Sequence, residues 1–206
     1  MTLNACGAVN AGKTTLLENL QRGFFQRKRT TKEQPNTCED MAARTAGIEV
    51  GIIDIPGVGK LRKMDMAGHS WAFTINDFFL GKQTSISLVL FDVTKSDEQI
   101  NAELMYHLGL LKAKESRKVL THRPEVVLVA THCDKCSHAE VRAKKFYLSM
   151  RNEYQAYLNF HANVMVLNCC DPDAFGTLKE VLKELHKKIL KVSMCTVETI
   201  TSFMLK

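Results

Sequence analysis

The eight residues Gly7-Ala-Val-Asn-Ala-Gly-Lys-Thr14 restrict this chain more than any other segment. They fit G-x-x-x-x-G-K-[ST], a pattern that has physical meaning only between a strand and a helix. Thr2–Cys6 reads as that strand, and a helical stretch follows the loop. Glycines at both ends let the backbone curl from Gly7, so that the amides of Asn10, Ala11, Gly12, Lys13, Thr14 and Thr15 converge on one point. The positive end of the following helix adds to them, which makes an anion cradle suited to a phosphate chain. Lys13 is placed to neutralise β- and γ-phosphate charge, and the Thr14 hydroxyl to ligate Mg²⁺. The plainer account, a glycine turn with an incidental lysine, is set aside on the specificity of the pattern.

Three short apolar runs, Ile86–Phe91, Val126–Ala130 and Val164–Leu167, are β-branched and nearly unbroken. Runs of this kind suit strands buried on both faces of a parallel sheet. Between them Ile100, Leu104, Leu108 and Leu111 form one helical stripe, and Leu178, Val181, Leu182, Leu185 and Ile189 another. Ser96-Asp-Glu-Gln99 and Ser137-His-Ala-Glu140 each match a capping box at a helix start. Gly47–Ile55 and Leu61–Met66 read as a hairpin about Pro56-Gly-Val-Gly59. The expectation is a doubly wound α/β domain over 1–192, mostly parallel with one antiparallel hairpin, whose ligands bind at the carboxyl ends of the strands. Residues 24–44 read as a polar connection, and 193–206 as an extension that begins a linker to a further domain.

Hydrophobic residues make up 45% of the 206 and charged residues 24%, the balance of an ordinary globular chain. No apolar run approaches the roughly 20 residues that span a bilayer. Neither a signal peptide nor a prenylation box is legible, so the expected location is the cytoplasm, with no membrane span. The odd count of seven cysteines argues for reduced thiols rather than a disulfide framework. The net charge of +6 gathers in Arg22–Lys32 and the last helix and reads as solvated loop and helix surface, with no nucleic-acid partner expected. Cys133-Asp-Lys-Cys136 with His132 and His138 invites zinc, but lacks paired knuckles on rigid turns. Trp71, Phe73, Phe78 and Phe79 lie at helical spacing and read as core.

Three later segments choose among the proteins that carry such a loop. Thr45, in Thr45-Ala-Gly-Ile48, is placed to give a second Mg²⁺ ligand and to sense a γ-phosphate. Asp65-Met-Ala-Gly-His69 ends the hairpin: Asp65 can hold a Mg²⁺-bound water, and the Gly68 amide can reach the γ-phosphate. Thr131-His-Cys-Asp134 follows a buried strand, and Asp134 there can accept both N1–H and N2–H₂ of guanine, a donor pair that adenine lacks. Asp54-Ile-Pro-Gly57 offers a rival aspartate. Thr45 to Asp54 leaves 9 residues, room for one strand, whereas 20 separate Thr45 from Asp65, room for two strands and a turn. Spacing therefore favours Asp65.

In this order the segments resemble the motifs of Ras-like GTPases, and the T-H-x-D form resembles the Roc (Ras of complex proteins) domains of Roco proteins. Val126–Asp134 and Val164–Val197 look most like the Roc domain of death-associated protein kinases. The resemblance spans nearly the whole chain and implies a P-loop NTPase fold, GTP or GDP as ligand, Mg²⁺ dependence and slow GTP hydrolysis. It implies residence in a larger polypeptide with protein partners or neighbouring domains, and leaves a homodimer open.

Departures from the family pattern are informative. His69 stands where Ras-like proteins commonly place a water-orienting glutamine, and is either catalytic, beside Lys13 and Thr45, or a switch residue without a chemical role. Val9 replaces a common glycine and should crowd the water-orienting residue and any arginine finger. His132 replaces a lysine whose stem covers the base. Asn168-Cys-Cys170 stands where a Ser-Ala-Lys segment offers amides to guanine O6, with Cys169 as the candidate. Two functions compete: a slow GTPase switch, and a nucleotide-stabilised interaction module with little turnover. A small-molecule P-loop kinase would need a lid of clustered arginines, which the sequence lacks.

Overall fold

The computed structural model describes residues 1–21, 48–66, 85–116 and 123–204. In chain order these form β1 (Thr2–Gly7), α1 (Lys13–Gln21), β2 (Ile48–Ile55), β3 (Gly59–Met66), β4 (Ser85–Asp92), α2 (Asp97–Ser116), β5 (Glu125–Thr131), α3 (Ala139–Tyr154), β6 (Asn159–Phe160), β7 (Met165–Val166) and α4 (Gly176–Met204). The sheet runs β2-β3-β1-β4-β5-β6, and β7 also pairs with β5. Every pairing is parallel except the β2–β3 hairpin. The fold is therefore the mostly parallel α/β sheet with one antiparallel hairpin that the sequence predicts.

The unbroken apolar runs become central strands because both faces are covered. Leu88 and Leu90 of β4, with Val127 and Val129 of β5, pack with Leu16, Leu17 and Leu20 of α1 and Leu178, Leu182 and Leu185 of α4. The alternate residues, Val89, Phe91, Val126 and Leu128, face Ile100, Leu104 and Leu108 of α2 and Phe146 and Met150 of α3. Each such side chain contributes roughly 1.5–3 kcal/mol by leaving water. Both predicted helical stripes lie in these two cores.

Two local expectations change. The expected strand Val164–Leu167 shrinks to β7, and β6 precedes it on the same edge of β5. The register advances by two residues between Glu125↔Asn159 and Val129↔Met165, so two extra residues interrupt the edge. The Tyr147 hydroxyl meets this step, within hydrogen-bonding distance of the His161 carbonyl at 2.9 Å and the Ala162 carbonyl at 2.8 Å. The Ser137 capping box does not form: α3 starts from His138 with no side-chain cap. The preceding turn supplies the bond instead, Cys136 O accepting from the Ala139 amide at 3.2 Å. The last helix, α4, runs from Gly176 to Met204. The 24–44 connection and the Trp71–Phe79 stripe lie outside the described residues. Among the described residues no helix is long and apolar enough to cross a membrane.

Candidate functional site

β1 delivers the chain to the loop with every residue buried. Gly7 turns it at φ 151°, and a Cβ there would lie 2.5 Å from the Leu90 carbonyl oxygen of β4, so the strand can end this way only with glycine. Gly12, at φ 81°, closes the loop against the Cys169 thiol, 3.2 Å from where a Cβ would sit. Between them Asn10 takes φ 63°, left-handed backbone that costs a non-glycine residue about 1 kcal/mol or more. Val9 is half-buried in the same turn.

Lys13 folds back over this loop. Its ammonium donates to the carbonyls of Gly7 at 2.9 Å and Ala8 at 2.7 Å. Burial pulls its pKa down, and the Asp65 carboxylate is the first charge opposing that shift. β3 lies parallel to β1 with Asp65 beside Ala5, which brings Asp65 to the start of α1. There the Thr14 hydroxyl donates to Asp65 Oδ2 at 2.6 Å. Asp65 is 1% exposed, and among the described residues its Oδ1 has no hydrogen-bond partner. Burial pushes its carboxyl above the usual range, while Thr14 and then Lys13 pull it back. A buried orphan carboxylate oxygen beside a hydroxyl is a hard donor set of the kind a small divalent cation takes. The rival Asp54 is exposed and pairs with Lys60 at the opposite end of the hairpin.

The second half of the site gathers at the end of β5. Thr131 is fully buried, and its hydroxyl donates to the Phe91 carbonyl at 3.1 Å. His132 adopts φ 58° and caps a 3₁₀ turn over Cys133–Lys135, which carries Asp134 exposed to solvent. The 168–170 segment joins the two halves. Asn19 of α1 donates to the Cys169 carbonyl at 2.7 Å, and the Cys169 thiol rests on Gly12. Burial, with Cys170, Cys133 and Asp134 adding to it, pushes that thiol up to about 12. The Cys170 amide donates to Asn168 Oδ1 at 2.9 Å.

Gly7, Asn10, Ala11, Gly12, Lys13, Thr14, Thr15 and Asp65 thus lie together, and Thr131, His132, Asp134 and Cys169 form a second group reached through Gly12. Thr45, Gly68 and His69 lie outside the described residues. Sequence reasoning missed three participants. Asn19 fixes the Cys169 backbone. Asp92 places Oδ2 3.4 Å from His132 Nδ1. His107 of α2 is buried, and burial, with the nearby Lys13 charge, drives its pKa down to about 4. Only Asp92 left a trace in the sequence, as an aspartate ending an apolar strand.

A phosphate loop of this form, on a mostly parallel sheet with its hairpin aspartate at the loop, defines a nucleotide-binding domain of the GTPase class. The chain belongs to the family described as 50S ribosome-binding GTPase, matched over residues 3–132. Over 164 residues it is 23% identical to the death-associated protein kinase dapk-1 of Caenorhabditis elegans, covering 71% of this chain and 12% of that protein. Over 199 residues it is 24% identical to the probable serine/threonine-protein kinase pats1 of Dictyostelium discoideum, covering 90% of this chain and 6% of that protein. The chain therefore spans only a small fraction of these relatives. Among solved structures, the Arl6 BBS3 small GTPase of Trypanosoma brucei with bound nucleotide analogue GppNp superposes at a TM-score of 0.63, with 15% identity, over 91% of this chain and 98% of its own. The mammalian SRP receptor gives 0.56, with 13% identity, over 89% and 99%. At those identities the two structures speak for the fold alone.

Proposed function

We propose that this domain is a switch that binds GTP or GDP with Mg²⁺ and hydrolyses GTP slowly. The observation that carries the proposal is the cluster of Lys13, Thr14 and Asp65: an ammonium over the loop, a hydroxyl at the start of α1, and a buried carboxylate oxygen without a partner. Leaving such an oxygen unpaired costs on the order of 1–3 kcal/mol, which a cation with its waters would recover. Thr14 and Thr45 would hold Mg²⁺ with Asp65 facing it through water, and the ion would supply charge against the β- and γ-phosphates. Lys13 neutralises the same phosphates, and the loop amides fix them. The Gly68 amide would reach the γ-phosphate, and His69 would orient the attacking water. Asp134 accepts from the guanine edge, Thr131 and His132 shape the base side, and the Cys169 amide meets O6.

The relatives' length supports residence in a larger signalling protein, with neighbouring domains or a second copy as partners. Val9 in the loop favours a second reading, a nucleotide-stabilised interaction module with little turnover. Mass spectrometry of nucleotide released from the purified protein is the first test. GDP or GTP is expected, and ADP would move the chain to another branch of the P-loop proteins. Single-turnover hydrolysis of bound GTP then separates the readings, since no phosphate over hours leaves only the module. Val9→Gly should speed turnover if crowding limits it.

A further inference from the structure

At the base side of the site His132 carries two neighbours on one ring nitrogen. Its Nδ1 lies 3.1 Å from Thr131 Oγ1 and 3.4 Å from Asp92 Oδ2. The Thr131 hydroxyl is also 3.1 Å from the Phe91 carbonyl, and when it donates there it accepts from His132. The Asp92 carboxylate likewise accepts. A proton on Nδ1 suits both neighbours at once, and a neutral imidazole then has its lone pair on Nε2.

Asp92 is itself held. Its Oδ1 accepts from the Thr94 amide at 2.8 Å and the Thr94 hydroxyl at 2.7 Å. The chain just beyond is clamped by Arg142 of α3, which donates to the carbonyls of Val93 and Lys95 and to Asp97. Asp92 and Thr131 are register partners across β4 and β5, and the Val93 amide donates to the Thr131 carbonyl at 3.2 Å. The backbone of His132 is in the left-handed region, a strained conformation that persists where its surroundings over-determine it.

We propose that Asp92 is a positioning residue for the nucleotide base: with Thr131 it locks His132 as the Nδ1–H tautomer in one ring orientation. His132 is then a fixed flank for the purine rather than a mobile side chain. This rests on the guanine-nucleotide reading above, and the test keeps the two apart.

Asp92→Asn is the informative variant. The amide oxygen can still serve Thr94, while its NH₂ would face His132 as a donor and favour the Nε2–H tautomer. The wild-type protein is first loaded with a fluorescent GDP in Mg²⁺. Failure of wild type to bind it overturns the nucleotide reading itself. With binding present, ¹⁵N NMR of labelled histidine, the His132 signal being assigned by its loss in His132→Gln, should show Nδ1–H in wild type and Nε2–H in Asp92→Asn. GDP should dissociate about five- to tenfold faster from the variant, the scale of one positioned hydrogen bond. Inorganic pyrophosphate, which has no base, should bind both proteins alike, and melting temperatures should agree. An Nε2–H wild type overturns the proposal, as does an unchanged GDP dissociation rate after the tautomer has switched. Equal loss of GDP and pyrophosphate binding also overturns it, since the effect would then be on the whole fold.

Discussion

Single residues in the site are held against their own preference, and two of them give measurable consequences. Asp65 sits in a place that disfavours charge: burial raises its pKa, and the Thr14 hydroxyl and Lys13 only partly compensate. A carboxyl whose folded pKa lies above its unfolded value releases its proton more readily on unfolding, so above that range ionisation favours the unfolded chain. Asp65→Asn should therefore raise the melting temperature of the nucleotide-free protein, or leave it level, while shortening Mg²⁺-dependent GDP retention at least about tenfold, the scale of one charged contact. A fall in both would assign Asp65 a structural role alone. His107 works in the opposite sense. Its folded pKa is about 4 against 6.5 for the free side chain. Between those values the unfolded chain binds the extra proton, so stability declines as pH falls from 6.5 toward 4 and levels off below. The full difference is about 3 kcal/mol. In denaturant titrations at pH 7 and 4.5, His107→Gln should lose less stability than wild type by most of that amount. Equal losses would show that this imidazole is not the acid-sensitive group.

Elements differ in how far local chemistry decides them. At α2 the Ser96 and Gln99 side chains each bond the other's amide at 3.3 Å, the box that the sequence predicts. At α3 an equivalent spelling, Ser137 to Glu140, is passed over because the 3₁₀ turn begun by left-handed His132 delivers Cys136 O to the first helical amide. Ser96→Ala should thus cost about 1 kcal/mol, and Ser137→Ala only a few tenths, in equilibrium unfolding. Comparable costs would mean that the α3 cap is made by the side chain after all. The same contrast explains what was legible in the sequence. The Gly7–Thr14 loop can be read because its geometry tolerates few residues at each place, Gly7 above all. The central strands can be read because covering both faces demands continuous apolar runs. β6 cannot, since two residues pairing with an edge leave no periodicity, and the step after them meets the Tyr147 hydroxyl only in the folded chain. Asn19 and His107 were hidden too, because the surroundings of each are supplied only by the tertiary fold.

Across the whole molecule, the site is where the pieces of the sheet are tied to one another. β1 leads into the loop, β3 gives Asp65, β4 gives Asp92, the turn after β5 gives His132, and Cys169 closes on Gly12. The positive-φ residues other than glycine among those described, Asn10 and His132, both lie at carboxyl ends of strands on this one rim. Strain, an unpaired carboxylate oxygen and a partly desolvated lysine are thus concentrated there, while the two cores, one on each face of the sheet, carry the stability. A ligand that meets those groups binds the folded chain and not the unfolded one, so it must shift the unfolding equilibrium by RT ln(1 + [L]/Kd). At a hundredfold excess over Kd this is about 2.7 kcal/mol, and a domain of this size moves by roughly 2–4 °C per kcal/mol. Thermal unfolding of the nucleotide-stripped protein should therefore rise by about 5–10 °C with GDP and Mg²⁺. The gain should shrink when EDTA removes the ion and vanish in Lys13→Ala, whose own midpoint without nucleotide should stay near wild type, because a buried ammonium has been removed rather than a packed apolar group. A Lys13→Ala protein that still gained the full shift would place the nucleotide somewhere other than this loop. A shift as large with ADP as with GDP would locate recognition in the phosphates and leave Asp134 without a part in it.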